Sequence, residues 1–198
     1  MKKILLITLS IVLFAIFIKA RQPVVLGAGV KAKEEPVQTA IDEPNPFDFK
    51  GYVMTPLADF DIKAKVIRRE DYRFDKGADI SPMDLALGWG RMSDEAVLEH
   101  LDVSQSGRWY RYRYQNAPIP QQEIQTHSAN MHLIPANSYV EKQINKVKAG
   151  QIIQIIGQLV KVEDQEQNWR WQSSLTRKDT GDGACELIFV EQLMVIEG

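Results

Sequence analysis

The chain has 198 residues, 44% of them apolar, and a formal net charge of −2, with one cysteine, Cys185, so an intramolecular disulfide is excluded and the fold must rest on its core. Six of the 24 basic residues lie at or before Lys33 and all 26 acidic residues lie after it, so residues 34–198 carry a net charge of −8. A domain of that sign repels polyanions unless it keeps a local basic stripe, which disfavours nucleic acid as a partner.

The chain opens with a three-residue tail and then an uncharged apolar run, residues 4–18, flanked by Lys2 and Lys3 before and Lys19 and Arg21 after. A cleaved signal peptide needs small residues close behind the apolar stretch, and here two basic residues intervene before the nearest small sites at Gly27 to Ala32. A retained transmembrane anchor is therefore expected, and no lipobox cysteine is present. Fifteen residues at ~1.5 Å rise span about 22 Å, short of the ~30 Å hydrocarbon core but workable with snorkelling of Lys19 and Arg21 and local thinning. The four basic residues after the run outnumber the two before it, which argues against the usual orientation. The three-residue tail nevertheless has the form of a secretory n-region, and the expectation is a single-pass inner-membrane protein with a periplasmic domain.

Residues 19–47 mix four prolines with Gly27, Gly29, Lys, Glu and Gln without an apolar period, and read as a flexible linker to a soluble domain over 48–198. Residues 58–67 alternate, placing Phe60, Ile62, Ala64 and Val66 on one face of a half-buried strand. Strands are predicted over 84–89 and 108–114, separated by a short helix over 93–100 that starts on half a capping box. The stretch 115–136 looks irregular. Residues 137–148 have Tyr139, Val140, Ile144 and Val147 at helical spacing, with Asn137 or Ser138 as a cap and Gly150 beyond. Residues 151–162 follow as a strand interrupted by Gly157, the mark of a bulge or a close backbone approach, and the last strands are expected over 169–175 and 186–196. The class is mainly β with one or two short helices, and the order of strands, helix, strands is that of a small OB-like barrel, with an SH3-like barrel as the alternative.

Four segments carry candidate chemistry. His127 and His132 sit in a stretch with Asn130, but a separation of five puts them on opposite sides of a strand, so no metal site is predicted, and polar side chains serving loop backbone groups are the favoured reading of the composition. Residues 173–186 contain an Asp-Gly-rich turn, including Arg177 and Asp179, that runs into Cys185. A nucleophilic thiol would need His127 or His132 as base, with Asp179 or Asn130 orienting the imidazole, whereas a lone cysteine entering a strand is ordinarily a small buried hydrophobe. The run 108–114 puts Tyr110, Tyr112 and Tyr114 on one face and Trp109, Arg111 and Arg113 on the other, a stripe able to stack on rings and pair anionic groups; its ordinary alternative is a tyrosine-lined core face with arginines meeting surface carboxylates. Trp169 and Trp171 share a face by the same parity. Trp89, between Gly88 and Gly90, is the fourth candidate; neither GxGxxG nor a P-loop is present, and no cofactor is implied.

Gly88-Trp89-Gly90, Ser106-Gly107-Arg108-Trp109-Tyr110, the segment His127 to Pro135 and the segment Ser173 to Glu186 together resemble a group of small membrane-anchored bacterial proteins with no activity to carry over. The expected function is a non-catalytic, membrane-tethered binding or accessory module meeting a protein or glycan through Trp109, Arg111, Arg113, Trp89, Asn130 and Arg177. The alternative is a thiol-dependent hydrolase or transferase using Cys185 with His127 or His132.

Overall fold

The structure is a computed structural model that describes residues 22–179, 181 and 183–198. The apolar run 4–18 lies outside the described residues, and no helix among those described is long and apolar enough to cross a membrane.

The described chain is mainly β. Ten strands run β1 Val37–Ala40, β2 Phe47–Phe49, β3 Tyr52–Asp71, β4 Met83–Gly88, β5 Asp102–Ser106, β6 Trp109–Arg113, β7 Ser128–Pro135, β8 Ile152–Asp164, β9 Trp169–Gln172 and β10 Glu186–Glu197. Three short helices, α1 Glu95–Leu98, α2 Gln121–Thr126 and α3 Ser138–Ile144, and two 3-10 turns join them. The largest sheet pairs β3 with β4, β4 with β7, β7 with β10 in parallel, and β10 with β8, and β8 pairs again with β3. β1 and β2 add to β3, β9 adds to β8, and β5 and β6 form a separate hairpin.

β3 is twenty residues long because it serves two partners, pairing β8 from Val53 to Lys65 and β4 from Lys65 to Asp71. Bulges at Leu57 and Ile67 bend it, the first beside Pro56, which has no N–H to give the ladder. The alternation expected over 58–67 holds, since Phe60, Ile62, Ala64 and Val66 are all buried in the main core with Leu85, Leu133 and Ile155. Gly157 is a close-approach position: a Cβ there would overlap the Phe189 carbonyl oxygen across the β8–β10 ladder.

α3 begins where Asn137 accepts the Tyr139 and Val140 amides, at 3.0 Å each, so the cap is Asn137 and the first turn is satisfied by its side chain. Val140, Ile144 and Val147 enter the core as the spacing predicts, but Tyr139 is 70% exposed and belongs to the solvent face. The predicted helix over 93–100 shortens to α1, capped by Asp94. Ser93 serves a different purpose, its Oγ accepting the Lys31 and Ala32 amides.

Two expectations are corrected. The irregular stretch 115–136 contains α2 and the whole of β7, which is inserted between β4 and β10 and buried on both faces. Ala129, Met131 and Leu133 alternate with Ser128, Asn130 and His132 as in a strand, but the histidine, serine and asparagine beside Pro135 give the stretch the composition of a loop. Much of the stretch expected as flexible linker is held by specific bonds: β1 pairs β3, the Val24 amide donates to Ala149, Ala32 is fully buried, and the Leu26 and Gly27 amides both donate to Glu95 at 2.7 Å. Side-chain acceptors hold this segment, so it needs no apolar period.

Candidate functional site

β4 and β7 turn Leu85, Leu87, Met131 and Leu133 into the core, so by parity Asp84, Asn130 and His132 lie on the opposite face. That outer face is itself covered. A cluster around Trp169 and Trp171 packs on one side of the three polar residues, and the β5–β6 hairpin with α2 packs on the other, over Met92, Ile119 and Ile124.

Asp84, with no exposed surface, is the hub of a buried polar network. It accepts from Arg108 Nη1 at 2.7 Å and Asn130 Nδ2 at 3.3 Å, and His132 Nδ1 lies 2.8 Å from it, within ion-pair range though not aligned as a hydrogen bond. Gln105 completes the network by donating to Asn130 Oδ1 at 2.7 Å. A carboxylate this deep is tolerable only with such partners.

Arg108 reaches Asp84 because of its place in the hairpin. Gly107 and Arg108 are the two loop residues between paired Ser106 and Trp109, with φ of +58° and +70°, the left-handed pair of a type I′ turn. Holding an arginine in that region costs of the order of 1 kcal/mol. Its side chain is clamped on all sides, by Asp75 through Nε at 3.0 Å and Nη2 at 2.8 Å, by Asp84, and by the Tyr72 ring 3.8 Å from the guanidinium carbon. Burial works against the Arg108 charge, but the two carboxylates outweigh it and hold the group charged; in return the Arg108 hydrogen bond holds Asp75 below the usual carboxylate range. Burial, then Asp84, pushes the Tyr72 phenol up to about 12.

Above this network opens a cleft of about 810 Å³. Its walls are the 72–82 connection with Asp75 and Gly77, the hairpin tip with Arg108 and Trp109, His132 of β7, β9 with Trp169 and Trp171, and the segment ending at Cys185. Trp171 packs on His132 with ring centres 4.6 Å apart and on Trp169 at 6.1 Å. Of the cations at the cleft, Lys76 pairs with Asp164 at 3.1 Å and Arg108 with Asp75 and Asp84, while Arg170 in its wall makes no ion pair among the described residues. The cleft is thus aromatic-walled, with a polar floor on which one arginine meets two carboxylates.

A smaller recess of about 230 Å³ continues past Trp109 and Cys185 to Arg177, Asp179 and Glu186. Arg177 Nε lies 2.7 Å from the buried Glu186 carboxylate, and its guanidinium sits over the core residue Phe60. Burial outweighs Arg177 and pushes Glu186 up to about 7. Asp179 accepts from Ser174 Oγ at 2.6 Å, fixing the turn.

The structure brings together Cys185, His132 and Asn130 of the candidate residues, with Asp179 and Arg177 in the adjoining recess. His127 stands elsewhere, its Nε2 2.9 Å from Glu35 and its ring against Trp89. Trp89 is fully buried and donates to Glu35 at 2.7 Å, so it is a core residue rather than a docking platform. The parity reading of the 108–114 run is right, with Tyr110 and Tyr112 half-buried and Trp109, Arg111 and Arg113 outward; of the outward three, Trp109 lines the cleft. Burial, then Glu186, pushes the Cys185 thiol up to about 12, opposite to the depressed value of a nucleophilic cysteine. Asn130 Nδ2 lies 3.9 Å from its sulfur. Among the described residues no three His, Cys, Asp or Glu side chains converge as metal ligands.

Asp84, Arg108 and Asp75 were not singled out in the sequence. For Arg108 a signal existed: the Ser-Gly-Arg-Trp tip marks a turn, and a turn residue escapes the strand parity that drew attention to Arg111 and Arg113. Comparison with known proteins finds no matching family model, no curated relative and no matching solved structure, so the site is read from its own geometry.

Proposed function

We propose that the domain is a non-catalytic binding module of OB type, tethered to the inner membrane by residues 4–18 on its outer face, that takes a segment of neutral oligosaccharide in the cleft above Asp84. The barrel reading is supported by the pairing circuit β3–β4–β7–β10–β8–β3, with β7 and β10 parallel and α3 connecting β7 to β8. That parallel pair and the helix before β8 favour the OB-type order over an SH3-like one.

The observation that carries the functional reading is the position and chemistry of the cleft. OB-type barrels bind oligonucleotides and oligosaccharides on the face of their second and third strands, between the connection of strands one and two and that of strands four and five. Here these are the outer face of β4 and β7, the 72–82 connection and the 165–185 segment, and the cleft lies among them. Trp109, Trp169 and Trp171 offer apolar ring faces, and the polar floor is fixed in place before any ligand arrives, which lowers the ordering cost of binding. The engagement of Arg108 by two carboxylates, together with the −8 of residues 34–198, favours a neutral glycan over nucleic acid. The test is retention of the detergent-solubilised full chain on immobilised neutral oligosaccharides. Trp109→Ala is expected to reduce retention several-fold while leaving the circular dichroism unchanged, and undiminished retention would sink the reading.

A further inference from the structure

The segment entering the domain is pinned at its first described residues. The Val24 amide donates to Ala149 at 2.8 Å, and Gly150, with φ of +89°, sits so close that a Cβ would overlap the Val24 carbonyl. Pro23 is two residues beyond Arg21 and five beyond the apolar run. Five extended residues cover at most about 18 Å, and the polar layer on each side of the hydrocarbon core is about 5–8 Å thick. A chain spanning the membrane at residues 4–18 therefore keeps the Pro23 end of the domain within about 13 Å of the outer edge of the head-group layer, close enough to rest on it.

At that end lies a cleft of about 1030 Å³, with Pro23 in its wall and residues 65–71 of β3, the 98–103 segment and the 145–150 segment around it. Two of its ion pairs are internal, Lys65 with Glu95 at 2.9 Å and Arg69 with Asp71 at 2.8 Å. Arg69 also donates to the Asn145 and Val147 carbonyls. Arg68, Lys146 and Lys148 make no ion pair among the described residues; on the acidic side, Asp102 makes none and Glu99 reaches only its neighbour His100, at 3.6 Å. Free charges of both signs in one cleft fit a zwitterion better than an anion.

We propose that this cleft seats the head group of an amine-bearing zwitterionic phospholipid, the phosphate against Arg68, Lys146 and Lys148 and the ammonium against Glu99 and Asp102, holding the domain flush on the bilayer. The inference rests on the membrane-anchor reading given above.

The test uses the full chain with Cys185→Ser, reconstituted in vesicles and carrying a fluorophore at Asn145→Cys or, as control, at Glu166→Cys. These sites lie toward opposite ends of the β3–β8 ladder, whose thirteen-residue reach is about 40 Å. Quenching by lipids spin-labelled at the head group is expected to be several-fold stronger at 145 than at 166 in phosphatidylethanolamine vesicles, to fall in phosphatidylcholine vesicles, and to fall with Arg68→Glu plus Lys146→Glu. Equal quenching at both sites, or insensitivity to head group and to the double variant, overturns the proposal. Soluble phosphoethanolamine at millimolar concentration is expected not to reduce the quenching at 145; full displacement by it would assign the cleft to a soluble ligand and overturn the lipid assignment. Flotation of the protein with the vesicles is scored separately, and failure to float defeats the anchor reading itself.

Discussion

β4 and β7 present two faces that do opposite things. The inner face is Leu85, Leu87, Met131 and Leu133, closed into the main core; the outer face is Asp84, Asn130 and His132, equally buried but polar and opening on a cleft. Inside, stability depends on filling space, which many apolar residues could do. Outside, each polar atom needs a particular partner, and among the described residues desolvating Asp84 is compensated by Arg108, Asn130 and His132. Buried groups this costly, beside aromatic walls, are where a ligand site is expected.

The largest effect expected from breaking this contrast is Asp84→Ala. It leaves Arg108 Nη1 without its buried acceptor and with Asp75 as its remaining carboxylate, and a loss of about 3–5 kcal/mol in urea denaturation is predicted. On the inner face, Leu133→Ala should cost about 2–5 kcal/mol by the same measurement, through the cavity it opens, while ligand affinity of the folded fraction stays unchanged. The third test concerns Glu186. Its folded pKa of about 7 lies above the ordinary carboxylate value, so between those two pH values the native state holds a proton that the unfolded chain has released. Its stabilising contribution is therefore complete in acid and is lost as pH rises through about 7. Unfolding free energies measured from pH 5 to 8 should fall more steeply for the wild type than for Glu186→Gln. The smallest effect is at Cys185, whose thiol stays protonated at neutral pH: its reaction with a disulfide reagent should be slow in the native protein and rise sharply on denaturation.

β3 and α3 were legible in the sequence; β7, which contributes to both faces, was not. β3 announces itself because one side of residues 58–67 is apolar and the other charged, and α3 because Val140, Ile144 and Val147 recur at helical spacing after Asn137. β7 alternates too, but its histidine, serine and asparagine beside Pro135 read as loop, and that its polar face is buried follows only from the fold. The entering segment 22–35 was read as linker for a related reason: its amides are satisfied by Ser93, Asp94 and Glu95, some sixty residues away. At the site, residue type led toward Cys185 and the histidines, whereas the organising residues are Asp84 and Arg108, which one strand and one turn hold 2.7 Å apart.

The most direct test of the account is a calorimetric titration of the full chain with neutral oligosaccharides, using chitin-, maltose- and cellulose-derived oligomers as probes, for the wild type, Trp171→Ala and the double variant Arg111→Ala with Arg113→Ala. The account predicts saturable binding of at least one series by the wild type, lost in Trp171→Ala and kept in the arginine double variant. No saturable binding of any series, or binding that Trp171→Ala leaves intact, would contradict it.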